Sequence, residues 1–165
     1  MKVVRFISLL LFPLFAGAQE APTVGSKLRS LAGQDMVTGK VIDIEFANPP
    51  AYTLFHFWQS NCDSCTGQFT ALQKFITQYQ TKLVAYGFPY DTKQKIPVVK
   101  ELITRYKLKW PQLFQYKQAN AAGANVIDVL MIQEFPTYLL LDRDGIILVR
   151  SNDLTDVEAL LVKMK

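Results

Sequence analysis

Runs of apolar residues divide the first half of the chain into strands and one helix. Residues 40–46 alternate between polar and apolar, which predicts a strand with one exposed face, and the prolines at 49–50 end it. Residues 52–58 and 83–88 are continuous apolar runs, typical of strands buried in the centre of a sheet. Between them, over residues 63–79, apolar side chains recur every three or four positions, which predicts an amphipathic helix.

The segment after the second buried strand predicts weaker elements. Pro97 suits the first turn of a helix. The predicted inner face of that helix consists of Val98, Leu102, Ile103 and Tyr106. Residues 113–114 predict a short strand, and residues 119–131 predict a helix weakened by Gly123 and Asn125.

The C-terminal part predicts a β-hairpin followed by a helix. Residues 137–141 and 146–149 are apolar strands joined by a turn, and residues 154–164 have helical periodicity. Buried strands that alternate with helices, and end in an antiparallel hairpin, predict an α/β fold with a central mixed β-sheet flanked by helices.

Residues 1–18 have the layout of a secretory signal peptide. Lys2 and Arg5 begin it, a nearly continuous apolar run follows, and small residues precede the expected cleavage point. A membrane-spanning helix needs about 20 apolar residues, and Pro13 interrupts this shorter run. We therefore expect export, no membrane span after cleavage, and one mature domain at residues 19–165. The periplasm is the expected location, with secretion or anchoring by an uncleaved signal as alternatives.

The net charge excludes two classes of partner. The 165 residues include 18 basic and 14 acidic ones, and 16 basic residues remain once residues 1–18 are removed. A balance this close to neutral predicts neither nucleic-acid binding nor attraction to a membrane surface.

Cys62 and Cys65 are the two cysteines of the chain, and they follow the strand predicted at residues 52–58. In an oxidising compartment they can pair, but so short a loop adds little stability, which favours a reactive bond over a structural one. The start of a helix offers free N–H groups that favour a thiolate, and such positions lower a cysteine pKa from ~8.5 to ~3.5–7.5. A thiolate attacks disulfides, and a second cysteine one turn later can resolve the product.

Two other interpretations of the cysteine pair are open. A structural zinc site needs four ligands, and the chain offers two cysteines, His56 as its one histidine, and carboxylates at no recognisable spacing. The pair could also be two inert buried thiols. Two isolated cysteines at a strand-to-helix junction favour the redox interpretation over both.

Two motifs carry a resemblance to a known family. Residues 57–65, Phe-Trp-Gln-Ser-Asn-Cys-Asp-Ser-Cys, resemble the active-site segment of thioredoxin-like proteins, and residues 134–145 resemble their cis-proline strand and following hairpin. With the export signal and the extra helical stretch between residues 88 and 111, the chain is most similar to the TlpA/ResA group of exported thiol–disulfide oxidoreductases. The resemblance covers residues 24–165. It implies a thioredoxin-like fold with a helical insertion between its βαβ and ββα halves.

The resemblance also implies a function. Members of this group reduce protein disulfides, often in cytochrome c maturation or in general thiol reduction, and they need no cofactor. The expected partners are protein thiol or disulfide substrates and an upstream thiol electron donor. The expected direction is reduction.

Residue roles follow from the resemblance position by position. Cys62 corresponds to the exposed nucleophile and Cys65 to the buried resolving thiol, together forming the redox-active disulfide. Pro136 corresponds to the cis-proline beside the disulfide. The backbone of Phe135 corresponds to the segment that pairs with an extended substrate.

Four further positions complete the expected site. Trp58 corresponds to a residue that borders the active site, so substrate contact is one interpretation and core packing is the other. Asn61 stands where the family usually has tryptophan, which removes an aromatic contact from the substrate-binding rim. His56 stands where thioredoxin has a buried aspartate, so proton exchange with the resolving thiol is one interpretation and a buried core histidine is the other. Asp63, beside the nucleophile, disfavours its thiolate and opposes the helix terminus.

Three alternative functions are distinguishable by sequence features. Exported copper chaperones on this fold have a Cys-x-x-x-Cys motif and a histidine far downstream. This chain has a shorter cysteine spacing and no histidine after Cys65. Peroxiredoxins have a Pro-x-x-x-Thr-x-x-Cys motif that is missing here. A redox-inactive scaffold remains the third alternative.

Overall fold

The computed structural model describes residues 21–47, 50–116 and 125–164, which form seven strands and four α-helices. The N-terminal elements are β1 (Leu31–Gln34), β2 (Val41–Ile44), β3 (Tyr52–Trp58), α1 (Asp63–Gln78) and β4 (Leu83–Asp91). The remaining elements are α2 (Ile96–Arg105), β5 (Gln115–Tyr116), α3 (Val126–Val129), β6 (Thr137–Asp142), β7 (Ile147–Ser151) and α4 (Leu154–Lys163). The expected signal peptide and residues 119–124 of the helix predicted at 119–131 lie outside the described residues, and the described part of that prediction forms only the single turn of α3.

A mixed five-stranded sheet with the order β5-β4-β3-β6-β7 forms the centre of the fold. Strand β3 runs parallel to β4 and antiparallel to β6, and β7 pairs antiparallel with β6. Every side chain of β3 after Tyr52 is buried, because both faces of this central strand are covered. Strands β1 and β2 form a separate antiparallel hairpin.

The two faces of the sheet are covered differently. Leu72 and Phe75 of α1 and Val157 and Leu161 of α4 pack in one cluster with alternate residues of β3 and β6. The opposite face is covered by the β1–β2 hairpin and by the single turn of α3, in a cluster that includes Ile44 and Ile127. Helices therefore flank the sheet as expected, and the hairpin shares the second face with α3.

Helix α2 is the predicted insertion, and it lies against the end of the sheet where β3 meets α1. Its residues Val99, Leu102 and Ile103 pack in one cluster with Trp58 and Phe69. The prediction that Val98 belongs to its inner face is wrong, because Val98 is 38% exposed. The helix begins at Ile96, so the adjacent Val99 faces inward instead.

Two other predictions differ from the structure in detail. The short strand expected at 113–114 is found at Gln115–Tyr116, where it pairs with the end of β4. Strand β1 was not predicted, because the sequence Leu-Ala-Gly-Gln has little β propensity. Among the described residues, no helix has the length and apolar character that crossing a membrane requires.

Candidate functional site: a disulfide at the start of helix α1

Cys62 and Cys65 form a disulfide at the N-terminus of α1, with 2.06 Å between the sulfurs. Cys62 is the N-cap residue of the helix, and its Sγ accepts a hydrogen bond of 3.1 Å from the backbone N–H of Cys65. Cys62 is half-buried, whereas Cys65 is completely buried. The pair therefore presents one sulfur toward solvent and keeps the other inside the protein.

The surroundings of the Cys62 sulfur supply further polar atoms. The Ser64 hydroxyl oxygen lies 3.2 Å from Sγ, so it can donate a hydrogen bond to a thiolate there. The carbonyl oxygen of Phe135 lies 3.6 Å from Sγ. Asp63 is exposed in the first turn of the same helix. The helix terminus and Ser64 thus favour a Cys62 thiolate, and the carboxylate of Asp63 opposes it.

The segment that approaches Cys62 is Phe135–Pro136, directly before β6. The Phe135–Pro136 peptide bond is cis. The side-chain amide of Asn152 donates hydrogen bonds to the Pro136 carbonyl oxygen at 2.6 Å and to the Thr137 hydroxyl at 3.1 Å. These bonds hold the start of β6, and with it the Phe135 carbonyl, next to the sulfur.

Phe135 is half-buried, and its ring stacks on Tyr90 with 6.1 Å between the ring centres. The pKa of the Tyr90 hydroxyl is raised by burial, and then by the charge of Asp128 and a hydrogen bond to it. Tyr90 therefore stays a neutral donor to Asp128. Sequence reasoning missed this pair because the two residues are 38 positions apart and follow no motif.

The loop before Cys62 is fixed by Asp91 at the end of β4. The buried Asp91 carboxylate accepts hydrogen bonds from the backbone N–H of Ser60 at 2.9 Å and from its hydroxyl at 2.8 Å. Sequence reasoning also missed Asp91, although one signal was present. Parallel strands β3 and β4 end at the same edge of the sheet, so a polar residue at the end of β4 lies beside the loop that follows β3.

Trp58 packs in the same buried cluster as Cys62 and Cys65, so it borders the disulfide from inside the protein. Its side chain is completely buried and packs edge-to-face on Phe69, so it offers no surface to a substrate. Its Nε1–H donates to the side-chain oxygen of Gln112 at 3.1 Å, and the Gln112 backbone N–H donates to Asp35 at 2.9 Å. A Cβ on Gly87 would overlap the Gln112 side chain. Trp58 is thus part of a buried support beneath the disulfide.

Asp35 ends this chain of hydrogen bonds. Burial raises its pKa, but hydrogen bonds from the Thr38 hydroxyl and from the backbone N–H groups of Gln112 and Thr38 outweigh that effect and leave the pKa below the ordinary value. Asp35 is therefore an ionised carboxylate whose lone pairs are largely taken by donors on its own chain.

His56 is completely buried in the middle of β3. Its ring stacks on Tyr138 with 5.1 Å between centres and meets the edge of Phe69 at 5.9 Å. Neither ring nitrogen has a hydrogen-bond partner among the described residues, so no hydrogen bond joins it to Cys65. Burial lowers its pKa to about 3, which makes the imidazole neutral at physiological pH. Its expected proton exchange with Cys65 stays a prediction.

Asn61 is exposed immediately before Cys62, at the rim of the site. Its expected role at the substrate-binding rim stays a prediction. Nowhere in the described ranges do three or more histidine, cysteine or acidic side chains group closely enough to hold a metal ion.

Together, the sheet order and a disulfide at the start of α1 define an α/β protein with a dithiol–disulfide site. Neither a protein-family model nor a curated protein matches the sequence. Solved structures do match. The thioredoxin domain of a thiol-disulfide oxidoreductase from Bacteroides vulgatus is 24% identical with a TM-score of 0.70, and the match covers 87% of this chain and 99% of that one.

Two further structures agree with this match. A thiol-disulfide oxidoreductase from Bacteroides fragilis is 18% identical with a TM-score of 0.70, over 85% of this chain and 100% of that one. A thiol:disulfide interchange protein from a Bacteroides species is 23% identical with a TM-score of 0.69, over 86% and 90%. The protein therefore has a thioredoxin-like fold, which confirms the predicted fold class.

Proposed function

We propose that this protein is an exported thiol–disulfide oxidoreductase that reduces disulfides in other proteins through Cys62 and Cys65. The observation that carries the proposal is the unequal burial of the two sulfurs at a helix N-terminus. One sulfur can meet a partner, and the other lies behind it within bonding distance. The names of the structurally similar oxidoreductases support the same activity.

The reaction starts from the reduced protein. The Cys62 thiolate attacks one sulfur of the substrate disulfide, the substrate S–S bond breaks, and the departing sulfur takes up a proton. The Cys65 thiol then loses its proton and attacks the Cys62 sulfur, which releases the second substrate thiol. The protein ends with the Cys62–Cys65 disulfide, and the substrate has gained two electrons and two protons. An upstream thiol donor restores the dithiol by the reverse exchange.

Three features of the site serve these steps. The N–H groups at the start of α1 and the Ser64 hydroxyl stabilise the Cys62 thiolate. The exposed Asn61 leaves the rim open. The backbone at Phe135 and Pro136 offers an edge along which an extended substrate segment pairs, so recognition reads main-chain groups beside the sulfur.

The reducing direction is supported by Asp63, whose charge opposes the helix terminus and Ser64 at Cys62. The exposed carboxylate of Asp63 disfavours the thiolate, which stabilises the disulfide form relative to the dithiol. A rise of one pKa unit corresponds to ~1.4 kcal/mol and lowers the potential by ~30 mV. The signal-like residues 1–18 support export, with reduction of protein disulfides outside the cytoplasm, including those of cytochrome c maturation, as the physiological setting.

The first prediction is a trapping experiment. Cys65→Ser removes the resolving sulfur, so mixed disulfides with substrates should accumulate on Cys62 and be released by dithiothreitol. Mass spectrometry of the trapped species identifies the partners. Cys62→Ser is the matched control and should trap nothing, because Cys65 is buried. Equal trapping by both variants would contradict the assigned roles, and a wild-type protein that never reaches its dithiol form in glutathione buffers would contradict the function.

A further inference from the structure

Helix α2 and its flanks carry a net positive charge, in contrast to the rest of residues 19–165. Residues 92–109 contain six basic residues and one acidic residue, whereas the rest of 19–165 contains ten basic and thirteen acidic residues. The only carboxylate in the segment, Glu101, is taken by Arg105. Lys95 and Lys100 are exposed and form no ion pair with any described carboxylate. A basic surface therefore stands on a domain that is otherwise slightly acidic.

A groove lies between this basic segment and the β1–β2 turn. Its volume is about 430 Å³, and Met36, Ile96, Phe114 and Lys100 line it. The first three are half-buried apolar side chains, and Lys100 stands at the groove as an exposed cation. Asp35 also lines the groove, but it is 4% exposed and its oxygens already accept hydrogen bonds from Thr38 and Gln112. An apolar group with negative charge beside it fits this lining.

The groove and the disulfide rest on the same buried cluster. Met36 and Phe114 pack against the buried cluster that contains Cys65 and Trp58, and Cys62 and Phe135 pack against the same cluster. The Cys62 sulfur therefore shares its apolar support with the groove and with the backbone of the cis-proline strand. Cys62 and two apolar walls of the groove therefore rest on one cluster, so the groove lies in the same part of the fold as the disulfide.

Both walls of the groove are held in place. The Met36 backbone N–H donates to the Gln112 carbonyl oxygen at 2.9 Å, and the Gln112 side chain accepts from Trp58, four residues before Cys62. On the other side, Val99, Leu102 and Ile103 fix α2 in the cluster behind the disulfide. A groove with walls this well anchored can select substrates without rearranging.

The geometry points to a substrate-docking groove for acidic polypeptide. We infer that the preferred substrates carry an apolar side chain and one or more carboxylates close to the disulfide that Cys62 attacks. The apolar side chain enters between Met36, Ile96 and Phe114, and the carboxylates pair with Lys95 and Lys100. This inference rests on the proposed function, because it assigns the substrate class of the same site.

Matched peptides test the inference. Each peptide has the same internal disulfide, flanked by either Glu-Leu or Lys-Leu, and the second-order rate of its reduction by the dithiol protein is measured at low salt. We expect the acidic peptide to react about 10-fold faster, since two charge pairs change from attractive to repulsive. At 0.5 M NaCl the ratio should approach one, because the screening length becomes shorter than the groove.

Variants localise the effect. Lys95→Glu combined with Lys100→Glu should invert the preference, so that the basic peptide reacts faster. The matched control is Lys82→Glu with Lys163→Glu, which makes the same charge change on exposed lysines at the far end of β4 and at the end of α4, and should keep the wild-type ratio. Ile96→Ser should slow the leucine peptides but not matched glycine peptides. Far-UV circular dichroism verifies that each variant is folded.

The outcomes separate the two proposals. Equal rates for acidic and basic peptides, or an unchanged ratio in the Lys95 and Lys100 variant, would overturn the docking groove. Preference for an anionic vesicle or an oligonucleotide over the acidic peptide, measured by competition, would also overturn it. If the wild-type dithiol protein fails to reduce even uncharged hydroxyethyl disulfide, the proposed function itself fails instead.

Discussion

At the scale of single residues, the site is set by what surrounds each sulfur. Cys62 caps α1, receives the Cys65 N–H and lies beside the Ser64 hydroxyl, while Cys65 has no access to solvent. The sequence was sufficient to predict this pair, because two isolated cysteines followed a buried strand and opened an amphipathic helix. The support at Ser60 and Asp91 was not predictable in the same way, because it depends on which strand ends lie side by side.

Ser64→Ala tests the hydroxyl beside Cys62. Loss of a hydrogen bond to the thiolate should raise the Cys62 pKa by about half a unit to one unit. The thiolate absorbance near 240 nm, followed against pH in the dithiol protein, measures this shift. Thr70→Ala, on the exposed side of the second turn of the same helix, is the control and should leave the pKa unchanged. An unaltered pKa in the Ser64 variant would mean that the hydroxyl points away from the thiolate.

His56 should make stability depend on pH. Its pKa is about 3 in the folded protein because of burial and ~6.5 when unfolded, so between these values the unfolded state binds more protons. The stability it preserves is complete above pH 6.5 and is lost as the pH falls toward 3. Between pH 7 and pH 5 the loss should be about 2 kcal/mol.

Urea unfolding of the oxidised protein at pH 7 and pH 5 measures this loss. His56→Phe keeps an aromatic ring between Tyr138 and Phe69 but has no titrating group, so it should lack the corresponding part of the pH dependence. Identical pH dependence in both proteins would contradict the buried neutral imidazole. The rate of disulfide reduction across pH 6–9 in His56→Asn addresses the separate prediction of proton exchange, which requires that rate to change.

At the scale of elements, hydrophobic periodicity was enough to place the sheet strands and α1, and insufficient where an element is short or its inner face is ambiguous. The helix at Ile96–Arg105 has valines at both 98 and 99, and the turn that starts it decides which one faces inward. Strand β5 has two residues and forms because it pairs with the end of β4 at the sheet edge. No local sequence pattern encodes that pairing.

The contact between β4 and the loop before Cys62 predicts a stability effect. Asp91→Ala leaves the Ser60 N–H without its acceptor and should lower the free energy of unfolding by about 1–3 kcal/mol. Asp91→Asn keeps one acceptor oxygen and should cost less. Chemical unfolding of the oxidised protein gives the ranking. Asp43→Ala, at an exposed position of β2, is the control, and a loss as large there would show that the Asp91 bonds have no special weight.

At the scale of the whole molecule, the described chain is joined across the sheet by a few long-range polar contacts. Arg150 on β7 is one of them, because its guanidinium donates to the carbonyl oxygens of Leu130 and Met131 after α3 and to that of Pro22 near the N-terminus. These contacts hold the segment that leads into Phe135 and Pro136. Because the acceptors are backbone groups distant from Arg150 along the chain, no local sequence pattern predicts these contacts.

Arg150→Ala should therefore destabilise the fold by about 1–3 kcal/mol, since three carbonyl oxygens lose a charged donor. Arg150→Lys should recover only part of the loss, because an ammonium group lacks the planar fork that reaches several acceptors. Thermal or urea unfolding compares the two variants with Arg143→Ala, an exposed arginine in the β6–β7 turn. Equal midpoints for all of them would contradict a structural role for Arg150.

The concealment of Cys65 behind Cys62 has one more consequence for how the protein would work on its partners. A partner meets a single reactive atom, so the two proteins can share only one covalent tether at a time. Under the proposed function, the lifetime of this mixed disulfide depends on how quickly the buried Cys65 thiol attacks the Cys62 sulfur. Release then depends on this protein through Cys65 and on the partner through the pKa of its departing thiol.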